Sequence, residues 1–214
     1  MTRLAALSVF IFTLLGQPAH AWEVIMTQKG VEVAQKTMEN SQLMAFRGEG
    51  VMDVPVGKLV AVLLADHLAT EWVDLQAEHT VVREDSAAKS ILYQRYDLPF
   101  PIDDRDYVLE EVTSFDDANW VFTLKYESIE HPDRPVSSCC VRARAYRTFW
   151  RLTKLDAGRT KVEVEVFTDP KGMLPSWLIN MIQKDWPWKS ITGLVNRATQ
   201  GDIEPEPRST GWTQ

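Results

Sequence analysis

The order of apolar and polar positions along this chain changes period several times, and each change marks an element. Alternation with a period of two, the signature of half-buried strands, covers 22–27 and 31–38 across a Lys29-Gly30 turn, then 43–53. Gly48 and Gly50 are bend or bulge points in the last of these. Val56, Leu59, Val60, Leu63 and Leu64 have helical spacing, and a second short helix is expected over 67–72. Strand patterns return over 73–83, 90–96, 106–115, 120–128, 141–154 and 160–168. Their separators, such as Asp116-Asp117-Ala118-Asn119 and Asp156-Ala157-Gly158, are turn-forming clusters, and 129–138 reads as a surface loop.

The last pattern is the longest. Leu174, Trp177, Leu178, Met181, Ile182, Trp188, Ile191, Leu194, Val195 and Ala198 follow the three-and-four spacing of one broad helical face. Pro175 suits the first turn of that helix. Pro187 is expected to kink or interrupt it, as a hinge or a static bend. Strands joined by short turns and covered by one apolar helix predict an α+β fold, with about nine antiparallel strands curling around that helix. Concave apolar space between sheet and helix suits a small hydrophobic ligand.

Composition narrows this picture. With 214 residues, 45% hydrophobic, and eight tryptophans, the chain can build one core over 22–200. Residues 1–21 combine Arg3, an apolar run and Ala19-His20-Ala21, the pattern of a cleaved secretory signal peptide. The protein is therefore expected to be exported, periplasmic or secreted, with a mature start near Trp22. Glu204-Pro205-Glu206-Pro207 makes 201–214 read as a disordered tail. The formal charge of −7 argues against nucleic acid and against tight docking on anionic lipid, leaving transient membrane contact. Cys139 and Cys140 are adjacent and read as two thiols in or beside a strand. His67, His79 and His131 lack metal-ligand pairing, and no nucleophile elbow, phosphate loop or zinc motif is present. No metal, cofactor or enzymatic activity is expected, and a monomer is.

Three motifs carry a resemblance: Tyr93-Gln94-Arg95-Tyr96-Asp97-Leu98-Pro99-Phe100-Pro101, Arg105-Asp106-Tyr107-Val108, and Asp169-Pro170-Lys171-Gly172 with Pro175-Ser176-Trp177-Leu178-Ile179-Asn180. In this order they resemble the START domain, the lipid-transfer domain related to steroidogenic acute regulatory protein, and look most like its phosphatidylcholine-transfer members. The resemblance implies a helix-grip fold, shared with Bet v 1-like proteins, whose C-terminal helix closes a tunnel around one lipid or sterol-sized molecule. Two departures stand out. START domains usually open with a helix, whereas here Trp22 leads almost directly into strand, and Glu111 stands where several lipid-binding relatives place an arginine. A carboxylate repels phosphate, so a sterol, fatty or aromatic ligand gains ground.

Alternation puts Arg105, Tyr107, Leu109 and Glu111 on one face of a strand. Together with Tyr93, Trp177, Leu178, Met181 and Trp188 they form the expected cavity wall. Tyr93 and Tyr107 each offer an apolar body with one hydroxyl. Arg105 or Asp106 is either a polar contact in the tunnel or a residue that orients a loop. The expected function is binding, and intermembrane transfer, of one hydrophobic molecule. The alternatives are an enzyme of the same superfamily, with Glu111 as acid or base, and a ligand-sensing module.

Overall fold

The computed structural model describes residues 21–212, so the leader expected over 1–21 lies, but for Ala21, outside the described residues. Ten strands make one sheet: β1 (Glu23–Gln28), β2 (Val31–Thr37), β3 (Met44–Met52), β4 (Gln76–Ser86), β5 (Lys89–Tyr96), β6 (Arg105–Asp116), β7 (Val121–Ser128), β8 (Val141–Arg142), β9 (Arg144–Lys154) and β10 (Thr160–Asp169). Their order is β1-β2-β3-β10-β9-β7-β6-β5-β4, antiparallel throughout, with β8 added parallel to β6. The sheet is not closed into a barrel, and β1 and β4 are its edges. The expected strand over 141–154 is two strands because its halves have different partners, β6 for β8 and β7 with β10 for β9.

Burial in β10 alternates along its whole length, with Val162, Val164 and Val166 inward and Lys161, Glu163 and Glu165 outward. The period of two thus sorts apolar side chains to the concave face. The outward residues form ion pairs with Arg147, Arg151 and Glu49-bearing β3. On the concave face lie α1 (Val56–Leu64), a 3-10 turn (Asp66–Leu68), α2 (Ala69–Trp72), α3 (Ser176–Gln183) and α4 (Trp186–Ala198). Leu59, Val60, Phe122, Leu124, Leu152, Ile191 and Leu194 are fully buried there.

The expected single C-terminal helix is two, separated at Lys184 and Asp185. Of the two outcomes expected at Pro187, a kink or an interruption, the structure has the interruption: Pro187 occupies the first turn of α4, where its missing N–H leaves no orphan. It is buried against β3, and a Cβ on Gly48 would sit 2.8 Å from the Pro187 Cβ. Further along α4 the Trp72 carbonyl occupies the place where a Cβ on Gly193 would be. A glycine that weakens the helix by about 1 kcal/mol therefore lets α2 cross it closely.

The expected disordered tail is also corrected. Residues 201–212 fold back over α1 and carry a short helix, α5 (Pro207–Thr210). Ile203 is buried and Trp212 is 4% exposed. The Glu206 amide donates to the Gly57 carbonyl at 2.9 Å, and the Trp212 indole donates to Asp117 at 2.9 Å. Two apolar anchors outweigh the proline- and glutamate-rich composition between them. Cys139 and Cys140 are bonded to each other as a disulfide rather than standing as two thiols. Their turn brings both sulfurs to one side, with the Ser137 hydroxyl 3.0 Å from Cys139 Sγ.

Candidate functional site

Between α3–α4 and the concave face lies a cavity of about 220 Å³, somewhat below the roughly 300–1,000 Å³ of pockets that bury drug-sized ligands. Its wall is mostly apolar: Leu63, Leu98, Leu109, Trp150, Val166, Leu174, Ile179 and Ile182 contribute to it. Trp72 and Trp186 meet Trp150 edge-on, with ring centroids 6.0 and 6.3 Å apart. Such T-shaped pairs are favoured by the ring quadrupoles.

Of the residues expected in the wall, Arg105, Tyr107 and Leu109 line the cavity. Tyr93 does not. Its cross-strand partner is Val108, whereas Gln94 faces Tyr107, so alternation sends Tyr93 to the convex face, where Arg134 stacks on it at 4.6 Å. Glu111 shares the face of Leu109 but lies beyond the lining, bonded to Ser90 at 3.0 Å and to Tyr126. Burial raises its carboxyl above the usual range. The carboxyl thus stands behind Tyr126, which lines the cavity.

The helix residues are corrected most. Trp177 is 67% exposed and Met181 48%, and neither these nor Leu178 and Trp188 line the cavity. Ile179, Ile182, Gln183, Trp186 and Lys189 do. The stripe is rotated because both faces of α3 are apolar, so spacing alone left the inward face undecided. Only the fold singles out Ile179 as the one buried residue of α3.

Arg105 reaches the cavity with its guanidinium already committed. Its Nε donates to the Pro170 carbonyl at 2.7 Å, one terminal nitrogen to the Lys171 carbonyl at 3.1 Å, and the other to the Asp103 carbonyl. Asp106, on the opposite face, takes two hydrogen bonds from Arg142 at 2.9 and 3.0 Å. Arg142 also donates to the Arg134 and Pro135 carbonyls. The pair therefore orients loops, one on each face.

A polar patch that sequence reasoning missed lies at the β4–β5 side of the cavity. His79 Nε2 is 2.7 Å from Asp66 Oδ1. Its Nδ1 faces the amide nitrogens of Gln76 at 3.2 Å and Gln94 at 3.3 Å. Tyr96 donates to Gln94 at 3.0 Å. These five residues all line the cavity. His79 pairs with Gln94 across strands, a register that no single-strand pattern reveals. Burial holds the phenols protonated: Tyr107 is pushed up to about 12, and Tyr96 and Tyr126 higher. Among the described residues no group of three or more His, Cys, Asp or Glu could hold a metal ion, and no helix is long and apolar enough to cross a membrane.

The mouth of the cavity lies where Leu75 and Ile182, both in its wall, are 44% and 41% exposed. Phe100 and Met173 are exposed on the loops 97–104 and 170–175, which Arg105 holds at the same end of the sheet. With Trp177 and Met181 they present several large apolar side chains to solvent around one end of the fold.

Comparison with known proteins gives consistent matches. The family model described as START domain matches residues 12–188. An uncharacterised protein of Pseudomonas aeruginosa is 26% identical over 198 residues, covering 92% of this chain and 96% of its own. The phosphatidylcholine transfer protein of Bos taurus is 25% identical over 167 residues, covering 77% and 78%. The crystal structure of a STAR-related lipid transfer protein from Xanthomonas axonopodis superposes with a TM-score of 0.74 at 25% identity, covering 84% of this chain and 99% of that one.

Proposed function

Because the chain belongs to the START domain family, whose members bind and transfer lipids, we propose that it holds one lipid or other hydrophobic molecule in its cavity and carries it between membranes. The observation that carries this reading is the apolar cavity itself, walled by Trp72, Trp150 and Trp186 and roofed by α3 and α4. No chemistry is required. Uptake is driven by burial of apolar surface, at roughly 25 cal/mol per Å².

The gate in this reading is α3. It buries only Ile179, and Asn180 clips it to the turn before β3 by accepting from the Met44 amide at 3.1 Å and donating to the Gln42 carbonyl at 3.2 Å. Opening α3 exposes the cavity beside Phe100, Met173, Trp177 and Met181. Large apolar side chains at one end suit brief contact with a membrane interface. The protein acts outside the cytoplasm, a reading supported by the composition of 1–21 and by the Cys139–Cys140 disulfide.

Native mass spectrometry of protein purified from its host, followed by organic extraction, tests the proposal. A one-to-one adduct that extracts as a lipid is the expected result. An empty protein that takes up no member of a fluorescent lipid panel overturns it.

A further inference from the structure

Building on the carrier reading, we infer that the cavity selects a cargo whose polar end is a hydrogen-bond donor without negative charge, a hydroxyl or an amine, and disfavours phosphate and carboxylate heads. An anionic head needs a free cation or a surplus of donors. The lining has two cationic side chains: Arg105 gives three of its N–H groups to carbonyls, and Lys189 pairs with Asp74 at 2.8 Å. His79 is held between Asp66 on one ring nitrogen and two amides on the other. The carboxylates Asp66 and Asp74 are in the wall, and Glu111 stands behind Tyr126. An added anion meets like charge on that side of the wall.

The leftover hydrogen-bonding capacity points the same way. Gln76 lines the cavity at 6% exposure, and its Oε1 has no partner; the Oε1 of Gln183, also in the lining, has none. The matching orphan donor is the Trp72 indole N–H. Buried acceptors without a donor are costly. A hydroxyl or an amine offers a proton to such an acceptor, whereas a fully ionised phosphate supplies only acceptors. The cavity of about 220 Å³ suits a compact or single-chain body.

The test uses four single-chain amphiphiles of one chain length, a fatty alcohol, fatty amine, fatty acid and alkyl phosphate. Each displaces a polarity-sensitive dye from the mature protein at neutral pH, below its micelle concentration. The alcohol and amine are expected to bind at least about tenfold more tightly than the acid and phosphate, a difference of about 1.4 kcal/mol. Asp66→Asn should weaken the amine more than the alcohol. Gln76→Leu, with Gln183→Leu as the substitute should Gln76→Leu not fold, should shrink the alcohol-to-phosphate ratio to within about threefold. Equal binding of all four, or a preference for the anions, overturns the inference while leaving the carrier reading intact. Displacement by none of the four overturns both.

Discussion

Arg105 and Asp106 are adjacent on β6, yet they hold loops on opposite faces of the sheet, Arg105 through the Pro170 and Lys171 carbonyls and Asp106 through Arg142. Alternation alone makes this possible. The loop under Arg105 leads directly into α3, so the arginine sets where the roof of the cavity begins.

Replacing that arginine separates a structural role from a ligand-binding one. Arg105→Met leaves three carbonyls without their charged donor, which should cost about 3 kcal/mol and lower Tm by roughly 10 °C. Dye displacement by an alkyl phosphate, relative to the alcohol, should not change. A selective loss of phosphate binding would instead make Arg105 an anion ligand.

Trp212→Ala removes the anchor of the C-terminal strap together with its bond to Asp117. Truncating a buried tryptophan costs about 3 kcal/mol, so thermal melts should drop by roughly 10 °C. A tail with no packing role would leave the melting curve where it was.

Asn180→Ala removes two of the three hydrogen bonds that clip α3 to the turn before β3, leaving the one from the Ser176 hydroxyl to Gln42 Oε1. Two part-exposed bonds contribute about 1–2 kcal/mol, so stopped-flow exchange of a fluorescent lipid should accelerate roughly tenfold, with Tm lower by only about 5 °C. Unchanged exchange would place the gate elsewhere.

Burial raises the Glu111 carboxyl above its ordinary value of 4.5. The folded state therefore holds the proton more tightly than the unfolded chain. Its contribution to stability is full below pH 4.5 and declines as pH rises through the folded value. Glu111→Gln should match the wild type near pH 4 and exceed it in Tm near pH 8. Asp117, held low by Trp212 and Arg208, and Asp202, held low by Arg197, have the opposite slope. Both proteins share that slope, so it cancels in the difference. A pH-independent difference in Tm would contradict the assigned shift.

Strand periodicity made the sheet legible, because one buried face imposes alternation on each strand regardless of its neighbours. The motifs around Arg105 and Pro170 made the fold family legible. The cavity wall was only half legible. Tyr107 and Leu109 follow from alternation within β6, but choosing Gln94 over Tyr93 requires the β5–β6 register, a property of two strands. Asp66 and His79 meet across the α1–β4 connection, where no periodicity operates. On α3 the apolar stripe covers both faces, since one side roofs the cavity and the other, with Trp177 and Met181, faces solvent. The strap was hidden because prolines and glutamates dominate its composition while two residues, Ile203 and Trp212, hold it down.

The seam between β3 and β10 sets the order in which this molecule can assemble. Met52 lies opposite Thr160 and Phe46 opposite Val166, so the first three strands find their inner neighbour only when the last strand is present. Closing so long a loop is entropically slow, and folds dominated by such distant pairings reach the native state late. Without β10 the β1-β2-β3 meander is joined to no other strand, and fragments ending before Thr160 should stay unfolded or pair wrongly along the bare edge of β3.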